Sequence, residues 1–443
     1  MSDRFLKTCL VVAFSRSAGV LCNAQGTAAQ PNAAETPATT DRSIEDLNLV
    51  GAAVTMPPLS DSILGVESGF RRALFSEGML FRVNVVPRYT QNLLDAPVPS
   101  GQQVYIGQRP TFISGINPIF TADLRQLHLR QAQLYAAVGW RWSSWQPASP
   151  NTLAMTSLYV FKRWGDRRVE MKAGYLGNDM EFVGLQVGGS TSTGAQGVYA
   201  VLPNEVGLSY FPLTAPSLNL RVRGTRYTYV KTAAQRSLDA AGSQSTVDRN
   251  PTGFRFLVDG NGLLLINEVG YQRPSSSTAH QAWLRAGYMR NSTRYLNRST
   301  GQKEPGNYCA YVLVDYQLRM PDSTTPGRGL YLGGTAMTVP SEFNPYDRYY
   351  EARVYQRGTF ASRPSDVLSL VAAYRGYSRY FTDSLAAQSK THWGNSRSLT
   401  GTYTVHVSRG DYLSLALGYV RGPALTPRVA DALVFTANWS VYF

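Results

Sequence analysis

The sequence predicts an all-β protein: a transmembrane antiparallel β-barrel of 16 strands, with a short N-terminal periplasmic helix. Three observations lead to this fold. Segments of about 9–11 residues alternate apolar and polar side chains, tyrosine and tryptophan gather near the ends of these segments, and the chain ends on Phe443 within an alternating apolar series. No run of roughly 18 apolar residues occurs, which excludes a helical membrane span.

The segment Tyr308–Met320 shows the alternation clearly, with Val312 on its apolar side and Asp315 on its polar side. The same alternation appears in segments 81–92, 168–175, 217–224 and 433–443. In a soluble sandwich the apolar side would point inward, whereas in a membrane barrel it points outward to lipid. The segments are longer than the average soluble strand of about 5–6 residues, and this length favours the barrel.

A sheet in hydrocarbon must close, because unpaired edge amides are too costly there. Residues 80–443 allow 16 strands of about 23 residues each, including connections, and a barrel of that size leaves an aqueous channel. The aromatic residues expected at the membrane interfaces are Trp140 and Trp142, Tyr349 and Tyr350, Tyr377 and Tyr380, and Trp439 and Tyr442.

The chain divides into four predicted regions. Residues 1–24 resemble a signal peptide, 25–43 form an Ala/Thr/Pro-rich flexible linker, 44–79 form an N-terminal periplasmic helical segment, and 80–443 form the barrel. Within the third region the helix is expected in Leu64–Met79, where Gly78 can end it. Cleavage of the signal peptide would leave Cys309 as the last cysteine, so neither an internal disulfide nor a Cys-based zinc site is expected.

The composition argues against catalysis and against nucleic-acid binding. The chain carries 43 basic and 29 acidic residues, and only six of the basic residues are lysine. The arginines alternate through the strand segments and form no basic patch for nucleic acid. The four histidines are scattered without metal-ligand spacing, so no metal, cofactor or catalytic residue is predicted. An outer-membrane barrel hydrolase remains an alternative, since a nucleophile and its histidine need not be adjacent in sequence.

Several segments resemble the carbohydrate-selective outer-membrane porins, the OprB-like family. They are Leu64–Met79, Ala173–Phe182, Thr252–Arg273, Gly306–Leu318 and Ser362–Tyr374. The stretch 89–150 matches less clearly, and its role stays open. The resemblance implies a 16-stranded porin in the outer membrane of a Gram-negative bacterium. It further implies passage of monosaccharides and small oligosaccharides and a homotrimer, and the terminal Phe443 strand is typical of substrates of the barrel-assembly machinery.

A sugar channel needs hydrogen-bonding side chains on a wet wall, and a guanidinium offers five donors to vicinal hydroxyls. The candidate pore-lining residues are Arg82, Arg88, Arg221, Arg223, Glu268, Arg285, Asp315, Glu351, Arg353 and Arg375. The alternative for each is a cross-strand partner within the wall. Asp179 and Glu181 follow a strand in a glycine-containing break, which suits either a constriction loop or turn capping.

The arginine excess has two further interpretations. A basic wall would attract sugar acids as well as sugars, and the same property would suit a general anion-preferring porin without sugar selectivity. Some arginines are instead expected on outer loops, bound to lipopolysaccharide phosphates. The alternation alone does not separate these positions.

Overall fold

The computed structural model describes residue 47 and residues 57–66, 68–94, 97, 102–165, 167–183 and 201–443. The predicted signal peptide (1–24) and linker (25–43) lie outside the described residues, as do parts of the predicted helical segment 44–79.

The described residues contain five α-helices and nineteen strands. The helices are α1 (Gly69–Ser76), α2 (Asn178–Phe182), α3 (Val201–Glu205), α4 (Ser243–Arg249) and α5 (Arg379–Ala387). The strands are β1 (Met79–Val85), β2 (Arg88–Asn92), β3 (Thr111–Asp123), β4 (Ala132–Ser143), β5 (Thr152–Trp164), β6 (Val169–Leu176), β7 (Ala215–Arg223), β8 (Thr228–Arg236), β9 (Leu263–Arg273), β10 (Ala282–Asn291), β11 (Tyr295–Leu296), β12 (Lys303–Glu304), β13 (Tyr308–Arg319), β14 (Gly329–Thr338), β15 (Tyr346–Arg357), β16 (Val367–Tyr377), β17 (Asn395–Ser408), β18 (Asp411–Arg421) and β19 (Ala432–Tyr442). None of these helices is long and apolar enough to cross a membrane.

Seventeen of the strands form one antiparallel sheet, and β11 and β12 form a separate ribbon. The strands β1 and β2 lie end to end, because both pair with β3 on one side and with β19 on the other. They are one crossing interrupted at Val86 and Pro87, where proline has no N–H to donate. The sheet therefore makes sixteen crossings and closes between β19 and β1–β2, as predicted.

The connections differ between the two ends of the barrel. Residues 165–168, 224–227 and 409–410 make short turns at one end, and the C-terminus lies there too, since the Tyr442 N–H donates to the Gly410 carbonyl at 2.8 Å. Longer connections, including 177–214, 237–262 and 378–394, leave the other end. We call these the short-turn end and the long-loop end.

The alternation of each strand sorts side chains between lumen and lipid. Large apolar side chains are exposed on the outer face of the described strands, as at Leu220, Val269, Leu284, Val312, Leu332, Val354, Leu370, Leu399 and Leu417. Their strand neighbours on the inner face are buried and largely polar, as at Asn219, Glu268 and Asp315. This orientation is that of a lipid-embedded barrel and confirms the prediction.

The prediction for the aromatic residues is only partly right. Trp140, Trp142 and Tyr350 are exposed on the outer face, as predicted. It is wrong for Tyr349, Tyr377 and Tyr442, which are buried. Successive residues of a strand point to opposite faces, so only one member of the pair Tyr349–Tyr350 can reach lipid.

The N-terminal residues pack against the short-turn end. Helix α1 ends at Ser76 and is shorter than the predicted Leu64–Met79. Gly78 terminates it as expected: its φ is +72° and its N–H donates to the Phe75 carbonyl at 2.9 Å. Before it, Asp61 accepts a hydrogen bond from Tyr412, and its Oδ1 lies 2.9 Å from His406 Nε2. These contacts tie the N-terminal segment to β17 and β18.

Candidate functional site

Residues 177–183 and 201–214, which we call the inner loop, fold back into the barrel. Phe182 in α2 and Leu202 in α3 are fully buried in one apolar cluster with Leu313, which lies on the inner face of β13. The returning chain is fixed to the wall by hydrogen bonds from Asn291 Nδ2 to the Val206 carbonyl at 2.6 Å and from Gln235 Nε2 to the Gly207 carbonyl at 3.0 Å. The described residues of the inner loop therefore lie within the lumen.

Gly207 shows how closely the inner loop approaches the wall. Its φ is +88°, and an added Cβ would lie 2.1 Å from Ser237 Oγ. Both the left-handed backbone and the lack of space require glycine there.

The first group of charged residues on the wall is the basic cluster, formed by Lys172, Arg221, Arg223, Lys231 and Arg285 with the carboxylates Glu170, Glu181 and Glu268. It holds the end of α2. Lys172 pairs with the Glu181 carboxylate, Lys231 donates to the Glu181 carbonyl, and Arg285 donates to the Phe182 carbonyl at 3.1 Å. Cations are favourable at the C-terminal carbonyls of a helix.

The same cations set the charge of Glu181. Burial raises the pKa of Glu181, but the ammonium groups of Lys172 and Lys231 lower it by a larger amount. The pKa of Glu181 therefore lies below its ordinary value. Glu181 is therefore ionised at neutral pH. With five cations against three carboxylates, the basic cluster keeps a positive surplus.

Four residues of this cluster, together with Arg163 on β5, form a row along the wall. Arg163 pairs in register with Glu170, Glu170 with Arg221, Arg221 with Lys231, and Lys231 with Glu268. We call these residues on β5 to β9 the charged row. Since cross-strand partners lie about 5 Å apart, basic and acidic groups follow one another closely across five neighbouring strands.

Two tyrosines hold the carboxylate at the end of the charged row. The hydroxyls of Tyr229 and Tyr311 donate to the two oxygens of Glu268, each at 2.9 Å. Each tyrosine pairs in register with a glycine, Gly270 or Gly287, whose added Cβ would lie within 2.3 Å of the ring. These glycines leave room for rings lying along the wall.

A second group, the paired cluster, comprises Asp315, Glu351 and Arg353. The guanidinium of Arg353 donates to Asp315 at 2.9 Å and to Glu351 at 2.7 Å, and its side chain has no exposed surface. Gly333 lies in register between Asp315 and Arg353, and its added Cβ would be 2.4 Å from Arg353 Nε. Arg353 therefore reaches its carboxylate across a glycine on the intervening strand.

The remaining candidates lie apart from both clusters. Arg82 donates to the Pro57 carbonyl at 2.9 Å, so it holds the N-terminal segment. Arg375 lies 4.3 Å from the centre of the Tyr346 ring, and Arg88 is half-buried on the inner face of β2. Asp179 is buried within α2.

Glu205, at the end of α3, is a carboxylate that sequence reasoning missed. Burial raises its pKa to about 7, against the opposing effect of Arg375. The other missed residues are Lys172, Glu170, Lys231 and Tyr229. Lys172 and Glu170 lie on the polar side of the alternation, so the sequence pattern already indicated that they face the lumen. For Tyr229, the only signal is its position opposite Gly270 on the neighbouring strand.

No group of three or more histidine, cysteine or acidic side chains in the described part of the chain is arranged to hold a metal ion. The inner wall instead presents hydrogen-bonding groups, of which Arg221 and Arg223 are partly exposed, and this suits the transfer of a polar solute.

A family model described as carbohydrate-selective porin, OprB family, matches residues 73–443. The chain belongs to this family. It is therefore a channel of the bacterial outer membrane for carbohydrates and not an enzyme. The hydrolase and the unselective anion porin are not favoured by this assignment.

Solved structures show the same fold. OprB of Pseudomonas putida in its high-pH structure has a TM-score of 0.72 at 16% identity, with 86% of this chain and 98% of that chain covered. Its low-pH structure has a TM-score of 0.55 at 15% identity, covering 88% and 100%. Salmonella typhi OmpF has a TM-score of 0.51 at 8% identity, covering 83% and 99%. No curated protein sequence matches the chain significantly.

Short turns in outer-membrane barrels face the periplasm and longer loops face outward. The short-turn end of this family member is thus periplasmic, and its long-loop end is extracellular.

Proposed function

We propose that sugars and sugar acids diffuse through the lumen along the charged row, exchanging hydrogen bonds with its alternating donors and acceptors. The observation that carries this proposal is the register that makes Arg163, Glu170, Arg221, Lys231 and Glu268 successive neighbours on five adjoining strands. A sugar presents adjacent hydroxyls, each able to donate and to accept. A row of guanidinium and carboxylate groups offers partners for both roles.

The accessible part of the basic cluster is best suited to this exchange. The side chain of Arg223 is 30% exposed and that of Arg221 is 18% exposed, whereas Arg353 in the paired cluster has none. Glu170 lies 3.9 Å from Arg221 and 3.7 Å from Arg223, beyond the roughly 3.2 Å limit of a normal hydrogen bond. Arg221 also donates to Gln272 Oε1 at 2.9 Å, so the more exposed Arg223 is the group that can turn to a passing hydroxyl at the lower cost.

The inner loop narrows the passage in this proposal. Glu181 is held by two lysines, and Asp179 lies in the same short helix. The charged ends of α2 would then restrict solute size next to the charged row. This assigns to Asp179 and Glu181 the constriction role, which is one of the two roles that the sequence left open.

The positive surplus favours anionic sugars over neutral ones of equal size. It is also the observation that favours the second candidate, a channel with a general anion preference and no selectivity for sugars. The two differ in whether neutral sugars cross faster than their size alone permits.

The test combines liposome swelling with planar-bilayer recording. Glucose and gluconate are compared with neutral and anionic solutes of equal size that lack vicinal hydroxyls. We expect glucose to exceed its size control, and we expect Arg221→Ala/Arg223→Ala to lower both gluconate flux and anion preference severalfold. Arg290→Ala, which removes an exposed arginine from the outer face of β10, is the matched control and should change neither.

Two outcomes would contradict the proposal. If glucose crosses no faster than its size control, sugar selectivity is absent and the general anion channel is correct. If the double variant keeps the wild-type reversal potential, Arg221 and Arg223 do not face the conducting path.

The homotrimer and the engagement of the barrel-assembly machinery by the Phe443 strand stay predictions. In support of the latter, the Phe443 N–H donates to the Val83 carbonyl at 2.8 Å, so the last strand joins the first during closure. Chemical crosslinking in native membranes and deletion of Phe443 test the two predictions separately.

A further inference from the structure

The outer face of β17 and β18 carries two arginines side by side. Arg397 and Arg421 pair directly in register, and both side chains are exposed. Like charges directly opposite each other destabilise a sheet. The pair lies at the long-loop end, where β17 begins after residues 378–394 and β18 ends before residues 422–431.

A third arginine joins this pair. The guanidinium carbon of Arg421 lies 5.9 Å from the centre of the Trp393 ring, and that of Arg428 lies 4.4 Å from the same ring. Both groups therefore gather around one side chain. We call Arg397, Arg421 and Arg428 the rim triad.

The rim triad is not neutralised by acidic side chains. In the described parts of the chain no ion pair joins any of the three to a carboxylate, and the nearby Asp431 accepts the Tyr419 hydroxyl at 2.6 Å. Arg348, on the outer face of β15, differs because it pairs with Asp347 at 2.8 Å. Charge complementarity thus calls for an external anion at the rim triad.

The side chains below the triad indicate where that anion belongs. Moving toward the membrane centre on the same face, Arg397 and Arg421 are followed by the exposed pair Leu399 and Tyr419, and then by exposed Leu417. Each step of two residues spans about 7 Å. The order of charged, aromatic and apolar groups is that of a lipid, from headgroup through interface to acyl chain.

We propose that the rim triad binds a phosphate of a phosphorylated glycolipid of the outer leaflet. Guanidinium groups bind phosphate oxygens in a bidentate manner, and strands about 4.8 Å apart place two of them close enough to share one phosphate. The bound phosphate removes the repulsion between Arg397 and Arg421, while the acyl chains cover Leu399 and Leu417. The site is separate from the lumen and from the sugar path.

The test uses the purified full chain in detergent, titrated with bis-phosphorylated lipid A and followed by native mass spectrometry. Lipid A without phosphates and inorganic phosphate are the comparison probes. We expect Arg397→Ala/Arg421→Ala to weaken lipid A binding at least tenfold and Arg428→Ala, in a connecting loop, to weaken it about threefold. The charge-matched control is Arg290→Ala/Arg319→Ala, which removes two exposed arginines from other strands and should bind as the wild type does.

Heat-modifiable gel mobility and unchanged channel conductance show that each variant is folded. The proposal is overturned if the rim double variant binds lipid A as tightly as its control, or if lipid A without phosphates binds equally well. Displacement of lipid A by equimolar inorganic phosphate also overturns it, since the site would then recognise a free ion. If the double variant does not fold, Arg428→Ala decides: unchanged binding refutes the site, and weakened binding supports it.

Discussion

The basic cluster and the paired cluster use the same residue types on neighbouring parts of one wall, with different consequences. In the paired cluster, Arg353 has no exposed surface and contacts both of its carboxylates at hydrogen-bonding distance. In the basic cluster, Arg221 and Arg223 stay partly exposed, and their distances to Glu170 exceed a hydrogen bond. An inward-facing arginine is therefore not by itself a solute contact; its exposure and pairing decide whether it stabilises the wall or meets the solute.

The largest difference is expected when one arginine of each cluster is removed. Arg353→Ala leaves Asp315 and Glu351 buried without a cation, which should lower the free energy of unfolding by about 3–5 kcal/mol. Arg223→Ala removes a partly exposed group and should change it by no more than about 0.5 kcal/mol. Urea unfolding from lipid vesicles, followed by tryptophan fluorescence, measures both.

A rescue variant separates loss of charge balance from loss of packing. Asp315→Asn/Glu351→Gln/Arg353→Met replaces the charges with neutral side chains of similar size, and we expect it to recover much of the lost stability. If Arg353→Ala unfolds at the wild-type urea concentration, the paired cluster has no structural role and the contrast between the two clusters fails.

A smaller loss is expected at the glycine between the partners of the paired cluster. In Gly333→Ala the new Cβ would lie 2.4 Å from Arg353 Nε and 2.7 Å from Asp315 Oδ1, so the ion pair must move apart. We expect a loss of about 1–3 kcal/mol, the cost of a poorly satisfied buried polar group. The control is Gly401→Ala on β17, where no atom lies within 4 Å of the added Cβ. Equal unfolding midpoints for the two variants would show that Gly333 is not needed for the pair.

The contact across Gly333 also shows which part of the site can be predicted from the sequence and which part cannot. Alternation is sufficient to place Glu268, Asp315 and Arg353 on the inner face, because period two determines the face once the apolar side is known to meet lipid. It does not predict that Arg353 reaches across Gly333 to Asp315. That contact depends on the register of three strands, which connections of variable length leave open.

The inner loop was predictable only in outline. A break after β6 with Asp179 and Glu181 suggests a loop with charged residues. Its course inside the barrel depends on apolar contacts of Phe182 and Leu202 with distant strands, and these contacts have no local pattern. Glu205 was missed for the same reason, since its neighbour Arg375 lies 170 residues further along the chain.

The smallest effect is expected from a change of pH on the anion preference of the channel. This experiment compares Glu181 and Glu205, which lie in the two parts of the inner loop. Glu181 stays ionised beside its lysines, whereas burial raises the pKa of Glu205 to about 7. Between pH 6 and pH 8 Glu205 therefore gains a negative charge near Arg375, which should reduce the anion preference of the channel modestly, by less than twofold. Reversal potentials recorded in a salt gradient at both pH values measure this change.

The same pKa shift fixes the sign of the effect on stability. Because the folded-state pKa of Glu205 lies above its ordinary value of 4.5, the folded state binds the proton more tightly, and stability falls as pH rises from about 4.5 through about 7. Glu205→Gln should remove this decline and the change in reversal potential together, while Glu181→Gln should leave both in place. A change of selectivity with pH that persists in Glu205→Gln would place the titrating group elsewhere, and the inner loop would then have no pH-sensitive end.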